Sequence, residues 1–240
     1  MGSATDYLTF CVYFDGALGN RYTLLPGTRL VSALESLALG PEKIRRMTSK
    51  IEQSCRKTAL MWRAGDLAQT AEREFYCTTL SDAPALFGED AVNVHYHLEA
   101  FVLLARSALD IGAGVFGELL PDPFPRKRYD SFNDLLKAIV KSANPPALAA
   151  GVQSWRDDKH SWLSIIADIE KGRSLRDKLA HQMGFPLAYA ELNPISERES
   201  AVVIVSDNYQ PPLPEFIERL RTGVVSCYLD FEAACLPSGT

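Results

Sequence analysis

The spacing of apolar and polar residues changes along this chain and predicts a short β region at its start. Residues 7–14 are rich in aromatic and β-branched types, and glycines separate them from a second strand-like run at residues 21–25. Two such runs joined by turn-forming residues are typical of a β-hairpin. We therefore predict an N-terminal β appendage over residues 1–40.

The next region, residues 41–185, has helical periodicity, and prolines and glycines mark where its helices begin and end. The predicted helices cover residues 41–76, 90–120, 132–142, 147–169 and 174–183. Asp90 or Asn93 is the predicted N-cap of the second helix. We predict that this region forms one domain of antiparallel helices.

The last region, residues 186–240, contains one β-branched run at 201–205, a proline-rich turn and a final helix over 215–234. We expect the strand to pair with the N-terminal hairpin and the helix to pack on the helical domain. The chain as a whole is therefore predicted to be mainly α, an antiparallel helical bundle with a small β appendage made of the hairpin and one C-terminal strand.

Composition narrows the class of protein. The 240 residues are 47% hydrophobic and 23% charged, which is ordinary for a globular protein, and the net charge of −5 provides no overall basic field for nucleic acid. Five scattered cysteines without a C-x-x-C pair predict a reducing, cytoplasmic location. Because Arg106 and Asp110 interrupt the apolar stretch at 101–116, we expect a buried helix there and no membrane span.

The second predicted helix carries a narrow polar stripe. His95, Glu99, Arg106 and Asp110 fall within about 60° of one another on an ideal helix, and most other residues there are apolar or small. A polar stripe on a buried helix has to meet water, partner charges or an active site. One interpretation is a solvent-facing edge with an Arg106–Asp110 ion pair, and the other is a stripe that faces a catalytic residue.

The segment at residues 171–181, Lys-Gly-Arg-Ser-Leu-Arg-Asp-Lys-Leu-Ala-His, is the main candidate for chemistry. Ser174 followed by Asp177 resembles a capping box, so a helix is predicted to start there. Asp177 and His181 are four residues apart and share a helix face, so the carboxylate can orient the imidazole. Arg176 lies about 140° around the helix from His181, yet its long side chain can reach the same pocket. The alternative is a structural role, with His181 satisfied by Asp177 and Arg176 on the surface.

Arg176 and Asp177 followed by His181 resemble the signature of the HEPN (higher eukaryotes and prokaryotes nucleotide-binding) family. The apolar helix at 98–110 and the segment at 162–166 also resemble helices of that family, so the resemblance covers roughly residues 90–185. It implies metal-independent RNA cleavage, in which the ribose 2′-hydroxyl attacks the adjacent phosphorus. His181 would be the acid/base and Arg176 the cation that stabilises the transition state.

The resemblance also implies a homodimer, because family members usually pair two such motifs across a composite cleft. Glu99, Arg106 and Asp110 are the predicted supporting residues around the catalytic pair. Predicted RNA contacts come from basic residues beside the motif and from one further cluster: Arg173, Lys178, Arg126, Lys127 and Arg128. A basic run within residues 41–63 is equally consistent with a solvated helix face.

The sequence thus predicts a HEPN-type endoribonuclease acting in toxin–antitoxin, stress or antiviral defence. Its expected partners are RNA, a second copy of the chain and an antitoxin or other regulatory protein. No cofactor is expected. No metal is expected either, because the pair His95 and His97, taken with His160, is not followed by a ligand at a diagnostic spacing. The alternative is a non-catalytic HEPN module that binds a partner protein or a nucleotide through a dimer surface.

Overall fold

The computed structural model describes residues 30–31, 34, 37, 39–79, 89–158, 160–167, 187–188, 201–205 and 208–236. Within these residues the fold is mainly helical. Its elements, in chain order, are α1 (Pro41–Thr79), α2 (Glu89–Leu119), α3 (Phe132–Lys141), α4 (Ala149–Asp157), α5 (Trp162–Ile166), β1 (Leu187–Ala188), β2 (Val202–Val203) and α6 (Leu213–Cys235). The boundaries predicted for α1, α2, α3 and α6 agree with these to within a few residues, although α2 begins before both proposed caps.

The long helices α1 and α2 form an antiparallel pair, and α6 packs against both. The three helices meet at the carbonyl oxygen of Ala108 in α2, which accepts hydrogen bonds from Ser54 Oγ of α1 at 2.7 Å and from the Tyr228 hydroxyl of α6 at 2.5 Å. Burial raises the pKa of Tyr228 well above its usual value, so the hydroxyl keeps its proton and remains a donor. This buried polar contact fixes the register of α6 along the other two helices.

Aromatic side chains fill the core between α2, α6 and the shorter helices. Phe116 of α2 stacks on Phe231 of α6 with ring centroids 4.8 Å apart, and Phe132 of α3 lies 6.0 Å from the same Phe231 ring. Trp162 of α5 packs directly on Gly223 of α6, where a Cβ atom would lie 2.0 Å from its ring. The absence of a side chain at Gly223 therefore lets α5 approach α6 closely.

The single helix predicted over residues 147–169 is wrong, since two helices, α4 and α5, occupy that range. Asp158 is extended, and its carboxylate accepts a hydrogen bond from the backbone N–H of His160 at 2.8 Å. The Ser161 hydroxyl donates to the Trp155 carbonyl at 2.7 Å. Such local side-chain bonds give the backbone an alternative to the helix, so they end α4 and begin α5.

The β structure among the described residues is one antiparallel ladder of two residues on each side, which joins β2 to β1. Val202 also forms a bridge with Pro212, so its described neighbours on the ladder are Ala188 and Pro212. The predicted partner was instead the N-terminal hairpin, whose residues 7–25 lie outside the described residues.

Three described residues near the end of the predicted N-terminal appendage belong to the helical core. Leu30, Val31 and Leu34 are helical, and each has at most 1% of its surface exposed. This part of the 1–40 region is therefore packed into the bundle, in contrast to the appendage predicted from the sequence.

Within the described part of the chain, one helix is long and apolar enough to cross a membrane by length and composition, namely the stretch Ala91–Leu119 of α2. Two thirds of its most apolar window (67%) is buried inside the protein, against α1, α6 and the shorter helices. The prediction that the 101–116 stretch is a buried helix is thus supported, because a core helix passes the same test of length and hydropathy.

Candidate functional site

Arg106 and Asp110 of α2 form a buried polar cluster with two neighbouring elements. The Arg106 Nε lies 2.9 Å from Asp110 Oδ2, and its Nη1 donates to Asn133 Oδ1 and to the carbonyl oxygen of Ile166, both at 3.1 Å. Asp110 Oδ1 in turn accepts from the backbone N–H of Phe132 at 2.7 Å. The pair therefore holds the start of α3 and the end of α5 against the middle of α2.

This geometry combines features of the two interpretations of the polar stripe. The Arg106–Asp110 ion pair is present, but it does not lie on a solvent-facing edge, because only 9% of the Arg106 side chain and 27% of the Asp110 side chain are exposed. Sequence spacing predicted the pair, whereas nothing in the sequence indicated Asn133 or Ile166 as its partners. Ile166 is significant because the chain continues from it towards the candidate motif at 171–181.

The other half of the stripe lies nearer the start of α2. Glu99 and His95 are half-buried. Beside them, Val92, Tyr96 and Leu103 are 58%, 66% and 37% exposed. At 100° per residue these three apolar residues fall within about 40° of one another, so they form an exposed apolar strip along α2.

The residues predicted to perform catalysis, Arg176, Asp177 and His181, lie outside the described residues. So do Arg173 and Lys178, the basic residues that flank them. The described chain reaches Ala167 before this segment and resumes at β1 after it. The site therefore consists, in the described part of the chain, of the stripe on α2 and the elements bound to it.

The second set of predicted RNA-binding residues lies in the exposed loop between α2 and α3 and consists of Arg126, Lys127 and Arg128. Arg126 pairs with Asp122 at 3.2 Å and Arg128 with Asp130 at 3.4 Å. The Lys127 ammonium lies over the Tyr129 ring, 4.9 Å from its centroid. All three cations are accessible to solvent.

Basic residues at the start of α1 lie close to this loop, a proximity that the sequence analysis did not predict. Glu118 of α2 binds Arg46 at 2.6 Å and Lys43 at 3.2 Å. Lys50 has its pKa lowered, first by burial and then by the nearby guanidinium groups of Arg128 and Arg46. The loop cluster and the α1 cluster thus form one surface.

The histidines that the structure describes do not form a metal site. No group of three or more His, Cys, Asp or Glu side chains with metal-binding geometry occurs among the described residues. His97 has its pKa lowered by burial and by Arg63, and the His160 ring packs edge-on against Tyr209 at 5.0 Å. The His97 side chain is half-buried, and the His160 side chain is exposed.

Comparison with protein-family models, with curated proteins and with solved structures finds no match to this chain.

Proposed function

We propose that this protein is a metal-independent endoribonuclease of HEPN type, with Arg176 and His181 as its catalytic pair. The observation that carries the proposal is the hydrogen bond from Arg106 to the Ile166 carbonyl, 3.1 Å long and buried. It attaches the chain ten residues before Arg176 to the polar stripe on α2, the stripe that the motif was expected to face. The mainly helical core built around a long apolar helix also fits the family.

The chemistry follows from the two residue types. The 2′-hydroxyl of the RNA loses its proton and attacks the adjacent phosphorus, the bond to the 5′-oxygen breaks, and a proton passes to that leaving oxygen. Histidine can take and give these protons near neutral pH, and Asp177 would hold its ring in place. The Arg176 guanidinium would stabilise the negative charge that grows on the phosphoryl oxygens. The products are a 2′,3′-cyclic phosphate and a 5′-hydroxyl.

The composite cleft of a homodimer belongs to this proposal. One Arg176–His181 pair supplies a single fixed cation, whereas two pairs facing one another double the cations around one phosphate. If the cleft is shared, mixing Arg176→Ala chains with His181→Ala chains restores part of the activity that each lacks alone. Size-exclusion chromatography with light scattering then gives a dimer, and a monomer with full activity contradicts the composite site.

The proposal is tested by incubating the purified protein with mixed RNAs in EDTA. Cleavage is expected to persist and to leave 2′,3′-cyclic phosphate ends, and His181→Ala and Arg176→Ala are each expected to slow it by about 10²–10⁴-fold. His160→Ala and Arg73→Ala are matched controls, because both residues are exposed and lie in described helical or turn structure. Full activity of His181→Ala, or a requirement for added Mg²⁺, overturns the mechanism.

A non-catalytic HEPN module that binds a partner is the second candidate, and the apolar strip of Val92, Tyr96 and Leu103 favours it. Solvent-exposed apolar residues aligned on one helix face are typical of a protein interface. Under this reading, Tyr96→Asp and Leu103→Asp abolish partner binding or dimer formation, while His181→Ala has no effect on function. A regulatory protein such as an antitoxin is compatible with both candidates.

A further inference from the structure

The start of α1 and the loop between α2 and α3 meet over the C-terminal half of α2. Two glycines permit this: a Cβ at Gly117 would lie 2.2 Å from the Tyr129 ring, and a Cβ at Gly114 would lie 2.8 Å from Lys50 Nζ. Lys127 N–H also donates to the Gly117 carbonyl at 3.0 Å. The cations brought together here form what we call the basic face: Lys43, Arg46, Lys50, Arg126, Lys127 and Arg128.

The basic face is positive although the whole chain is negative. Four of its six cations are paired with three carboxylates, Glu118, Asp122 and Asp130, and these nine groups carry a local charge of +3 (six minus three) against −5 for the chain. Asp122 and Asp130 are 82% and 88% exposed, so their ion pairs are weak and readily exchanged for another anion. Such a patch attracts a polyanion in spite of the acidic total.

Lys50 lies at the centre of the basic face, with its Nζ beside Gly114 and close to the Tyr129 carbonyl side of the loop. The pKa of Lys50 is lowered by burial, and the two guanidinium groups of Arg46 and Arg128 lower it further by repulsion. A phosphate bound between these groups would relieve that repulsion and raise the pKa again. The arrangement therefore favours an anion at the junction of α1 and the loop.

The face offers charge without an exposed apolar or aromatic anchor. Tyr129 and Phe124, its aromatic residues, are 6% and 2% exposed. The exposed large apolar residues that the structure describes lie elsewhere: Leu60, Val92, Tyr96, Leu103 and Leu229. Without an aromatic surface for bases to stack on, contacts would be to phosphates, and without an apolar anchor the face does not suit insertion into a lipid surface.

We propose that the basic face binds the phosphate backbone of RNA without reading its sequence, and so delivers the substrate to the catalytic pair. This inference rests on the proposed ribonuclease function for the identity of the polyanion. The basic face adjoins the elements that the α2 stripe holds, because Gly114 lies one helical turn beyond Asp110, and Asp110 binds the start of α3 at the end of the same loop. RNA bound on the basic face would thus lie beside the start of α3, which Asp110 binds.

The test measures binding of a fluorescent single-stranded RNA to the His181→Ala protein by anisotropy, in EDTA, over a range of salt concentrations. The Lys50→Gln/Arg128→Gln variant is expected to weaken binding about tenfold and to lower the slope of log Kd against log salt by about 1.4, which corresponds to two lost phosphate contacts. The matched control removes two cations from the second half of α1, Arg63→Gln/Arg73→Gln, and is expected to bind as the parent His181→Ala protein does. Circular dichroism establishes that all variants are folded.

A variant of opposite sign completes the test. Glu118→Gln removes the carboxylate that holds Arg46 and Lys43, so it is expected to tighten RNA binding several-fold. Unchanged binding in both the Lys50/Arg128 and Glu118 variants overturns the inference, as does equal or tighter binding to vesicles containing anionic lipid, or equal loss in the control. If the protein with His181 intact binds RNA through this face but never cleaves it, the catalytic proposal fails and the inference stands.

Discussion

Replacing Arg106 with methionine probes both the stability of the fold and the proposed link to the catalytic segment. Methionine keeps much of the length of the side chain but removes the charge and all the hydrogen bonds. The variant loses the ion pair with Asp110 and the bonds to Asn133 and the Ile166 carbonyl. Asp110 keeps a single described partner, the backbone N–H of Phe132.

The expected loss of stability follows from the burial of the pair. Removing one partner of a fully buried ion pair destabilises a protein by about 3–5 kcal/mol, because a charge is left without its counter-ion. Here the Asp110 side chain is 27% exposed, so water partly replaces the lost guanidinium. We therefore expect about 2–3 kcal/mol, which for a chain of this size corresponds to a fall in Tm of about 4–12 °C.

A double-mutant cycle isolates the cause. Asp110→Asn removes the unpaired charge, and its amide oxygen can still accept from Phe132, so in the Arg106→Met background it is expected to recover part of the loss. Urea unfolding followed by circular dichroism should give a coupling energy of about 1–2 kcal/mol between the two positions. Additive effects, or an Arg106→Met variant within about 0.5 kcal/mol of the parent, would refute a role for the pair in holding α3 and α5.

The functional effect requires a control with the same loss of stability. Arg221 of α6 is also buried, lies 2.8 Å from Asp66 and packs over the Trp62 ring, but it links α6 to α1 and has no described contact with α5. At a temperature where both variants are folded, Arg106→Met is expected to slow RNA cleavage at least tenfold, and Arg221→Met is expected to leave it nearly unchanged. Equal loss in the two variants would show that stability alone is responsible.

Two further predictions concern packing and pH. Gly223→Ala is expected to destabilise the protein by about 1–3 kcal/mol because its Cβ would overlap Trp162. Gly151→Ala has no atom within 4 Å of its Cβ and is expected to stabilise the protein by up to about 1 kcal/mol. Thermal unfolding measures both variants, and a neutral Gly223→Ala would contradict the close approach of α5. Glu72 is 4% exposed and accepts from the Ala201 N–H at 2.6 Å, and burial raises its pKa above the ordinary 4.5. The fold therefore favours the protonated acid: its stabilising effect is complete below about pH 4.5 and is lost as pH rises through the raised value. Glu72→Gln keeps an acceptor for Ala201 and should gain stability relative to the parent as pH rises above about 4.5. A difference independent of pH would show that Glu72 does not titrate as the structure indicates.

The sequence was informative wherever the signal is local. Proline fits the first position of a helix and cannot continue one, so Pro41 predicted the start of α1 and Pro121 the end of α2 nearly correctly. The four-residue spacing of Arg106 and Asp110 is also local, because it puts both on one helix face, and the ion pair is present. The same reasoning failed over residues 147–169, where periodicity continues but hydrogen bonds from Asp158 and Ser161 break the helix.

By itself, the sequence determined the helical class, the ends of the longest helices and the existence of a polar stripe on α2, since these depend on neighbours within one or two turns. Its candidate catalytic pair stays a prediction. Only the tertiary structure decided that the stripe anchors Ile166 and that Lys50 and Arg128, 78 residues apart in the chain (128 − 50), share one surface. The physical reason is that such contacts arise from how helices pack, and here the glycines at 114 and 117 let the loop approach α2. Packing between distant segments leaves no periodic signal in either segment.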